Sequence, residues 1–309
     1  MREDVSRVLV TGGAGFIGSN VANHLADTTD VIALDDGSLG TPRNLDSRVT
    51  FIEGDVCDDD LPTDVDLVIH LAALSSYAMH EEDPTAGARV NVEGFVNTVE
   101  QARNSGCTQV IYASTSSVYG SRRQPSPESM PVSARTGYEA SKLARERYAE
   151  YFGSHYDMNL AGLRFFSVYQ GYGGAEGHKG TYANVIAQFA DDIASGEQPV
   201  LYGDGTQTRD FTHVDDIVRA ICAAATHRLH GVYNVGTGRR TSFNDLVELL
   251  NDVMGTSISP TYVDSPIPSS VYVEHTCASY EKFHEAVGWE PQIDLETGLQ
   301  RVCAQYIEA

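Results

Sequence analysis

The chain of 309 residues carries 43 acidic and 21 basic side chains, which gives it a net charge of −22 at pH 7. This excess of negative charge argues against nucleic acid as a partner, because a phosphate backbone requires a basic face. No apolar run is long enough to cross a bilayer, and five scattered cysteines without CxxC spacing predict free thiols in a reducing cytoplasm.

The first half of the chain alternates apolar, β-branched runs with helical patterns. This alternation is typical of a parallel sheet that is covered by helices on both faces. The predicted strands are 7–12, 30–36, 49–56, 66–73, the strand and loop of 107–120, and 159–169. The predicted helices are 15–27, 88–106 and 136–152.

The pattern changes after about residue 170, where a glycine-rich segment, 171–182, is predicted to form a mobile loop. The elements predicted beyond it are a helix at 181–196, a strand, turn and helix within 199–227, a strand at 232–238, and helices at 245–255 and 295–307. We therefore predict an α/β fold with two parts. They are a doubly wound parallel-sheet Rossmann domain (1–170 and 211–238) and a smaller α+β substrate-binding lobe (171–210 and 239–309).

The stretch VLVTGGAGFIGSN places Gly12, Gly15 and Gly18 between the first strand and the first helix. Glycines at this turn allow a sharp bend, a close approach of a pyrophosphate to the backbone, and close packing of helix on strand. Asp35 ends the second strand, where a carboxylate binds the adenosine ribose hydroxyls and repels a 2′-phosphate. Asp55 ends the third strand, where it can accept a hydrogen bond from the adenine amino group. This pattern predicts a dinucleotide site that prefers NAD to NADP.

Lysine is scarce in this chain, which contains only Lys142, Lys179 and Lys282. An acid-rich, lysine-poor composition resembles that of halophilic archaeal proteins that work in concentrated salt, where screening weakens the self-repulsion of the charge. A merely acidic cytoplasmic protein is the alternative interpretation.

Tyr138 and Lys142 are four residues apart in the helix predicted at 136–152, so they lie on the same helical face. An ammonium group beside a phenol favours the phenolate, which can act as a base. A solvated surface pair is the alternative. The scarcity of lysine and the preceding hydroxyl-rich segment STSSVYG (114–120) favour a catalytic pair.

Six motifs occur in order along nearly the whole chain: TGGAGFIG, HLAA, STSSVYG, YEASK, RFFSVY and YGDGTQTRDFTHVDDI. Together they resemble the extended short-chain dehydrogenase/reductase family, which includes nucleotide-sugar epimerases and dehydratases. The resemblance is closest to epimerases of the UDP-glucose 4-epimerase type.

The resemblance implies roles for residues at the matching positions. Tyr138 is the expected acid/base, Lys142 binds the nicotinamide ribose and lowers the pKa of Tyr138, and Thr115 bonds the sugar 4-hydroxyl. The expected NAD-binding residues are Gly12, Gly15, Phe16, Ile17, Gly18, Asp35, Asp36, Asp55, Val56, Leu71, Ala72, Ala73, Asn91, Tyr138, Lys142 and Phe166. The expected residues for the nucleotide-diphosphate sugar are Thr115, Ser116, Tyr138, Ser167, Lys179, Asn184 and Arg209.

The chemistry implied by the resemblance is a transient oxidation at the sugar C4, followed by return of the hydride to the other face of the keto sugar. Ser116 and Ser117 stand where related 4,6-dehydratases carry an Asp–Glu pair, which disfavours dehydration. The alternatives left open are a uronate epimerase, a 4,6-dehydratase, a dehydrogenase that releases NADH, and a non-catalytic NAD-binding regulator.

Three further positions depart from the family pattern. Ser167 replaces an Asn, Ala278 replaces an Asp, and residues 260–275 contain no Lys or Arg as a second phosphate ligand. The diphosphate is then expected to depend on Arg209 and Lys179.

The remaining expectations concern histidines, metal and assembly. His70 and His213 are interpreted as packed, hydrogen-bonded residues, and no cluster has the spacing of a metal site. The apolar faces of helices 91–104 and 138–152 are expected to pair in a homodimer, with packing on the sheet as the alternative.

Overall fold

The computed structural model describes residues 2, 4–58 and 60–307. In chain order the strands are β1 (Arg7–Thr11), β2 (Asp30–Asp35), β3 (Thr50–Glu53), β4 (Leu67–His70), β5 (Gln109–Thr115), β6 (Asn159–Phe165), β7 (Val168–Tyr169), β8 (Val200–Tyr202), β9 (Thr208–Arg209), β10 (Thr212–His213), β11 (Gly231–Val235), β12 (Thr241–Ser242) and β13 (Thr261–Val263).

The α-helices are α1 (Phe16–Leu25), α2 (Tyr77–Glu82), α3 (Pro84–Ala88), α4 (Gly94–Asn104), α5 (Gly137–Tyr156), α6 (Val185–Ala194), α7 (Val214–Thr226), α8 (Phe243–Met254), α9 (Glu281–Val287) and α10 (Leu295–Ile307). A π-helix spans Arg89–Glu93, and short 3-10 helices span Pro42–Asn44, Ser116–Tyr119 and Ala175–Tyr182.

A seven-stranded sheet forms the centre, in the order β11-β6-β5-β4-β1-β2-β3, and all its neighbouring strands are parallel. Alternate residues of one strand face opposite cores. Val8 and Val10 of β1 pack into the core that contains α1 and α7, whereas Leu9 packs into the core that contains α4 and α5. Burial on both faces explains why these strands are continuously apolar. The predicted doubly wound α/β fold is confirmed.

A smaller lobe is built around α6, α8 and α10, whose apolar faces form a separate core. Two short two-stranded sheets belong to this part of the chain: β12 pairs antiparallel with β9, and β13 pairs parallel with β8. The predicted boundaries of the two parts stay a prediction. Helix α9 lies within 239–309, yet Phe283 and Trp289 are buried in the same core as Tyr233 of β11.

Three predicted elements differ from those observed. The helix predicted at 88–106 has a π-helical start before α4. The strand predicted at 159–169 breaks at Ser167, whose φ is 28°. The segment 171–182 contains a 3-10 helix, because the buried Glu176 carboxylate accepts hydrogen bonds from the backbone N–H groups of Gln170, Gly171 and Asn184.

Within residues 2, 4–58 and 60–307, no helix has the length and apolar character needed to cross a membrane. The same residues contain no group of three or more His, Cys, Asp or Glu side chains placed to hold a metal ion.

Candidate functional site

A cavity of about 820 Å³ lies at the carboxyl ends of the parallel strands. This is where open α/β sheets bind their ligands. The predicted site residues that line it are Gly12, Gly15, Phe16, Ile17, Gly18, Asp35, Asp36, Asp55, Val56, Leu71, Ala72, Ala73, Thr115, Ser116, Tyr138, Lys142, Ser167, Lys179 and Arg209. The sequence motifs, although far apart along the chain, therefore meet in one cavity.

The glycine loop brings two backbone segments unusually close together. Gly12 has a φ of 65°, and a Cβ there would lie 2.6 Å from the backbone nitrogen of Ala72. A Cβ on Gly18 would lie 2.0 Å from the carbonyl oxygen of Gly12. No side chain caps the start of α1, so its first N–H groups are free to face a phosphate. The loop therefore fits the pyrophosphate of a dinucleotide.

Asp35 is buried at the end of β2, beside the glycine loop. Its carboxylate accepts hydrogen bonds from the N–H groups of Gly37, at 2.9 Å, and Ala14, at 3.1 Å. Burial raises the pKa of Asp35, and these backbone hydrogen bonds oppose that shift. Asp36 and Asp55 also line this end of the cavity. The carboxylates fit ribose hydroxyls and disfavour a 2′-phosphate.

Helix α5 positions Tyr138 and Lys142. Its N-cap is Thr136, whose hydroxyl accepts from the N–H of Glu139, while the Glu139 carboxylate accepts from the N–H of Arg135, the residue before the N-cap. These two hydrogen bonds resemble a capping box, in which the carboxylate bonds the N–H of the N-cap itself, and they set the first turn of the helix. Tyr138 lies in that turn, and Lys142 lies one turn further on.

Burial and two neighbouring side chains act on the pKa of Tyr138. Burial raises this pKa, and hydrogen bonding with Thr115 followed by the charge of Arg145 opposes the rise. The ammonium nitrogen of Lys142 lies 5.7 Å from the centroid of the Tyr138 ring and donates to the Ala113 carbonyl at 3.4 Å. The lowering of the Tyr138 pKa by Lys142 stays a prediction.

Lys142 is itself buried. Burial, reinforced by the positive charge of Arg145, lowers the pKa of Lys142 well below its ordinary value. A buried ammonium with a single carbonyl partner is costly unless further acceptors arrive. Ribose hydroxyls of a bound cofactor would provide such acceptors, which fits the role predicted for this lysine.

Asn91 is expected to contact NAD, and that role stays a prediction. It is fully buried behind the cavity wall and does not line the cavity. Its side-chain oxygen accepts from the N–H of Leu74, and its amide group is within hydrogen-bond distance of His80 and Ser141. His80 in turn packs edge-on against the ring of Tyr138. Asn91 thus links the loop after β4 to α5.

Phe166 and Asn184 do not line the cavity either, and their expected roles in binding NAD and substrate stay predictions. Phe166 packs with Val118, Tyr119 and Ala278, whereas its chain neighbours Phe165 and Ser167 line the cavity. Asn184 caps α6 and donates to the Val168 carbonyl, which leaves it off the cavity wall.

The opposite end of the cavity is formed by the smaller lobe. Arg209 donates to the Thr208 and Glu274 carbonyls, and its guanidinium lies over the rings of Phe243 and Tyr272. Burial lowers the pKa of Arg209. The segment 267–276 contributes Tyr272 and several apolar residues to the wall. Arg209 is therefore placed to meet a second anionic ligand.

Several lining residues were not predicted, and they come mainly from loops without a recognised motif: Ser38, Leu39, Ser75, Tyr77, Ser117, His178, Tyr182, Ile267, Val271 and Tyr272. His70 and His213 have the expected packed roles. His70 is fully buried beside Thr11, with 3.0 Å between its Nδ1 and the Thr11 hydroxyl, and His213 accepts from the N–H of Asp215 to cap α7.

Comparison with known proteins gives a consistent picture. The profile of the NAD dependent epimerase/dehydratase family matches residues 8–236. A UDP-glucose 4-epimerase of Mycolicibacterium smegmatis is 33% identical over 309 residues, which covers 96% of this chain and 96% of the relative.

Two solved structures are similar over almost their full length. The UDP-glucose 4-epimerase of Thermotoga maritima with UDP-glucose is 32% identical, with a TM-score of 0.89 and 98% of each chain covered. The UDP-N-acetylglucosamine 4-epimerase of Methanobrevibacter ruminantium, in complex with UDP-N-acetylmuramic acid, is 31% identical, with a TM-score of 0.90 and 99% of each chain covered.

Proposed function

Because the chain belongs to the NAD-dependent epimerase/dehydratase family, we propose that it is a nucleotide-sugar 4-epimerase. UDP-glucose and UDP-galactose are the first candidate substrates. One observation carries the proposal: Thr115, Tyr138 and Lys142 line a cavity whose carboxylates, among the described residues, are Asp35, Asp36, Asp55 and Glu139, and none of these four is free to act at the reacting sugar.

The acidic residues on the cavity wall have other partners or positions. Glu139 accepts hydrogen bonds from the backbone and guanidinium of Arg135, both at 2.7 Å. Asp35 and Asp36 lie at the end of β2 and Asp55 follows β3, so these three carboxylates belong to the proposed adenosine side. Dehydration requires a second acid/base to remove a C5 proton and release water from C6. Epimerisation at C4 requires only one proton acceptor.

The residues divide the reaction as follows. NAD, when bound, supplies a reversible hydride acceptor for the sugar C4. Tyr138 takes the proton of the C4 hydroxyl as the C4 hydride leaves, and it returns a proton when hydride comes back to the opposite face of the 4-keto sugar. Thr115 hydrogen-bonds the same oxygen and favours the phenolate form of Tyr138.

The smaller lobe binds the part of the substrate that does not react. Arg209 and the segment 267–276 are proposed to hold the nucleotide diphosphate. Binding energy from this region positions C4 against the nicotinamide. This binding energy is available whichever face of the sugar points towards the nicotinamide.

A homodimer is part of this proposal. Tyr148, Tyr151 and Tyr156 of α5 are exposed by 42%, 41% and 40%. Arg103 of α4 lies over the Tyr156 ring at 4.4 Å, so the two helices share one aromatic outer face. A second copy of the same face is a suitable occupant, because a two-fold axis would pair these aromatic rings.

The predicted cytoplasmic location and the adaptation to concentrated salt stay proposals. The scattered free cysteines support the first, and the charge of −22 supports the second. It sets up a self-repulsion that dissolved salt would screen.

Product analysis with a panel of nucleotide sugars tests the function. The purified chain is incubated with NAD and UDP-glucose, UDP-N-acetylglucosamine or UDP-glucuronate, while the absorbance of reduced nicotinamide is followed. The proposal predicts a C4 epimer and no net NADH. A 4-keto-6-deoxy product would indicate a dehydratase, net NADH would indicate a dehydrogenase, and NAD binding without any product would favour a regulator.

A further inference from the structure

Lys179 lies at the cofactor end of the cavity. Its ammonium nitrogen is 5.7 Å from the ring centroid of Phe16, the first residue of α1 and the one that follows Gly15. Arg209, the other cation expected at the sugar-nucleotide diphosphate, instead contacts Phe243 and Tyr272 of the smaller lobe. The two cations are therefore associated with different walls of the cavity.

The segment that carries Lys179 is attached to the glycine loop by hydrogen bonds. The side-chain amide of Asn44 donates to the carbonyl of Ala14, inside the glycine loop, and lies 3.0 Å from Nδ1 of His178. Five residues before Ala175, where this segment begins, Gln170 exchanges hydrogen bonds with Asn20 of α1. These contacts bring residues 175–182, which we call the strap, close to the start of α1.

The interior of the strap is also ordered. The carboxylate of Glu176 accepts from the N–H groups of Gln170 and Gly171, at 2.8 and 2.9 Å, and from the N–H of Asn184, at 2.6 Å. Three backbone donors on one buried carboxylate set the path of a glycine-rich chain. Lys179 is consequently held near its position before any ligand arrives.

The positively charged side chains on the cavity wall indicate the role of Lys179. Among the described residues, the lysine and arginine side chains on the cavity wall are Lys142, Lys179 and Arg209. Lys142 is committed to the Ala113 carbonyl beside Tyr138. Among the described residues the Lys179 ammonium has no direct hydrogen-bond or ion-pair partner. Burial lowers the pKa of Lys179, and the charge of Glu176, whose carboxylate is already bonded to three backbone N–H groups, opposes that shift. A partly desolvated cation without a partner is costly, and an incoming anion removes that cost.

We propose that Lys179 binds the pyrophosphate of NAD, and that the strap crosses over the cofactor instead of serving the diphosphate of the sugar nucleotide. The free N–H groups at the start of α1 contact the pyrophosphate from one side, and the ammonium contacts it from the other. The sequence analysis predicted instead that Lys179 binds the diphosphate of the substrate. The inference rests on the NAD dependence of the family and does not depend on which sugar is the substrate.

Two separate binding measurements test this assignment in the full chain. The NAD dissociation constant is measured by calorimetry on protein from which the cofactor has been removed. The UDP dissociation constant is measured on NAD-saturated protein. For Lys179→Met we expect NAD to bind about 10- to 100-fold more weakly, since a charge-assisted phosphate contact is lost, and we expect UDP binding to change by less than about twofold. Lys179→Arg, which keeps the charge, should recover most of the NAD affinity.

Two results would contradict the assignment of Lys179 to the NAD pyrophosphate. If Lys179→Met weakens UDP binding and leaves NAD binding unchanged, the lysine serves the substrate and the inference fails. If neither constant changes, Lys179 contacts no phosphate and the inference also fails. Thermal unfolding without ligand identifies any loss of folding, and the surface variant Arg147→Met provides the matched control for loss of one positive charge. Neither binding measurement requires turnover, so failure here is distinct from failure of the proposed epimerase activity.

Discussion

The guanidinium of Arg145 donates a hydrogen bond of 2.7 Å to the backbone carbonyl of Ala72, a residue that lines the cofactor end of the cavity. A second hydrogen bond of 2.6 Å goes to the carbonyl of Asn91. Arg145 is fully buried, and its third nitrogen, Nη1, has no hydrogen-bond partner among the described residues. Its charge therefore acts on the site without a carboxylate to neutralise it.

Arg145→Met should shift the pH dependence of turnover. The charge of Arg145 lowers the pKa of Tyr138, so removing it raises that pKa. Because the base form of Tyr138 is required, the acidic limb of the kcat/KM profile should move to higher pH. The carbonyls of Ala72 and Asn91 also lose their donor, which should cost about 1–3 kcal/mol of stability.

Arg147→Met is the control, because Arg147 lies on the same helix with a side chain that is 75% exposed, and its ion-pair partner is Glu150. A profile that stays in place for Arg145→Met, with reduced stability, would assign Arg145 a structural role alone.

Asp35→Asn should weaken NAD binding and narrow the preference for NAD over NADP. The carboxylate is a stronger acceptor for ribose hydroxyls than an amide, so we expect a loss of about 10- to 100-fold in NAD affinity. NADP affinity should fall less or rise, since repulsion of the 2′-phosphate is removed. Dissociation constants for both dinucleotides check this. An equal loss for both would contradict direct contact with the ribose.

Acid should also weaken NAD binding through this residue. Burial raises the pKa of Asp35, so the carboxylate takes up a proton at a higher pH than an exposed aspartate does. The protonated group is a poorer acceptor for the ribose, and NAD affinity should fall as the pH drops through that pKa. NAD binding by the Asp35→Asn variant should not show this loss of affinity in acid.

Tyr151→Asp should convert the expected dimer to a monomer. A charge placed in the exposed aromatic face of α5 would be desolvated against its own copy across the two-fold axis. Light scattering after size exclusion should show the mass halved. Tyr262→Asp is the matched control, because Tyr262 is 51% exposed and lies on β13 of the smaller lobe. A wild-type chain that is already monomeric would contradict the proposed assembly.

Potassium chloride should stabilise the fold. With a net charge of −22, screening at about 1 M salt, where the Debye length is ~3 Å, removes most of the repulsion that remains at about 0.1 M. The melting temperature should rise by several degrees between these concentrations. It should rise further than in sucrose of equal osmolality, which stabilises folded proteins without screening charge. A melting temperature that does not change with salt would contradict the halophilic interpretation.

Local signals in the sequence predicted most of the fold and much of the site. The glycine spacing, the carboxylate at the end of β2 and the Tyr138–Lys142 pair depend on short-range geometry, which a period of 2 or 3.6 reveals. Sequence motifs could not show which neighbours affect the pKa of Tyr138, because Arg145 acts through its charge from a buried position that no recognised motif marks. The attachment of the strap to α1 was equally hidden, since it depends on hydrogen bonds between Asn44 and His178, far apart in sequence.

The most direct test of the epimerase follows the hydrogen on C4. UDP-glucose labelled with deuterium at C4 is incubated with the NAD-loaded chain, and the product is examined by NMR. We predict UDP-galactose that retains deuterium at C4, with no net NADH, because the same hydride leaves and returns. Tyr138→Phe should keep NAD bound and lose about 10³-fold in rate. Deuterium lost to solvent from C4, or a C4 epimer formed equally fast by Tyr138→Phe, would contradict this mechanism.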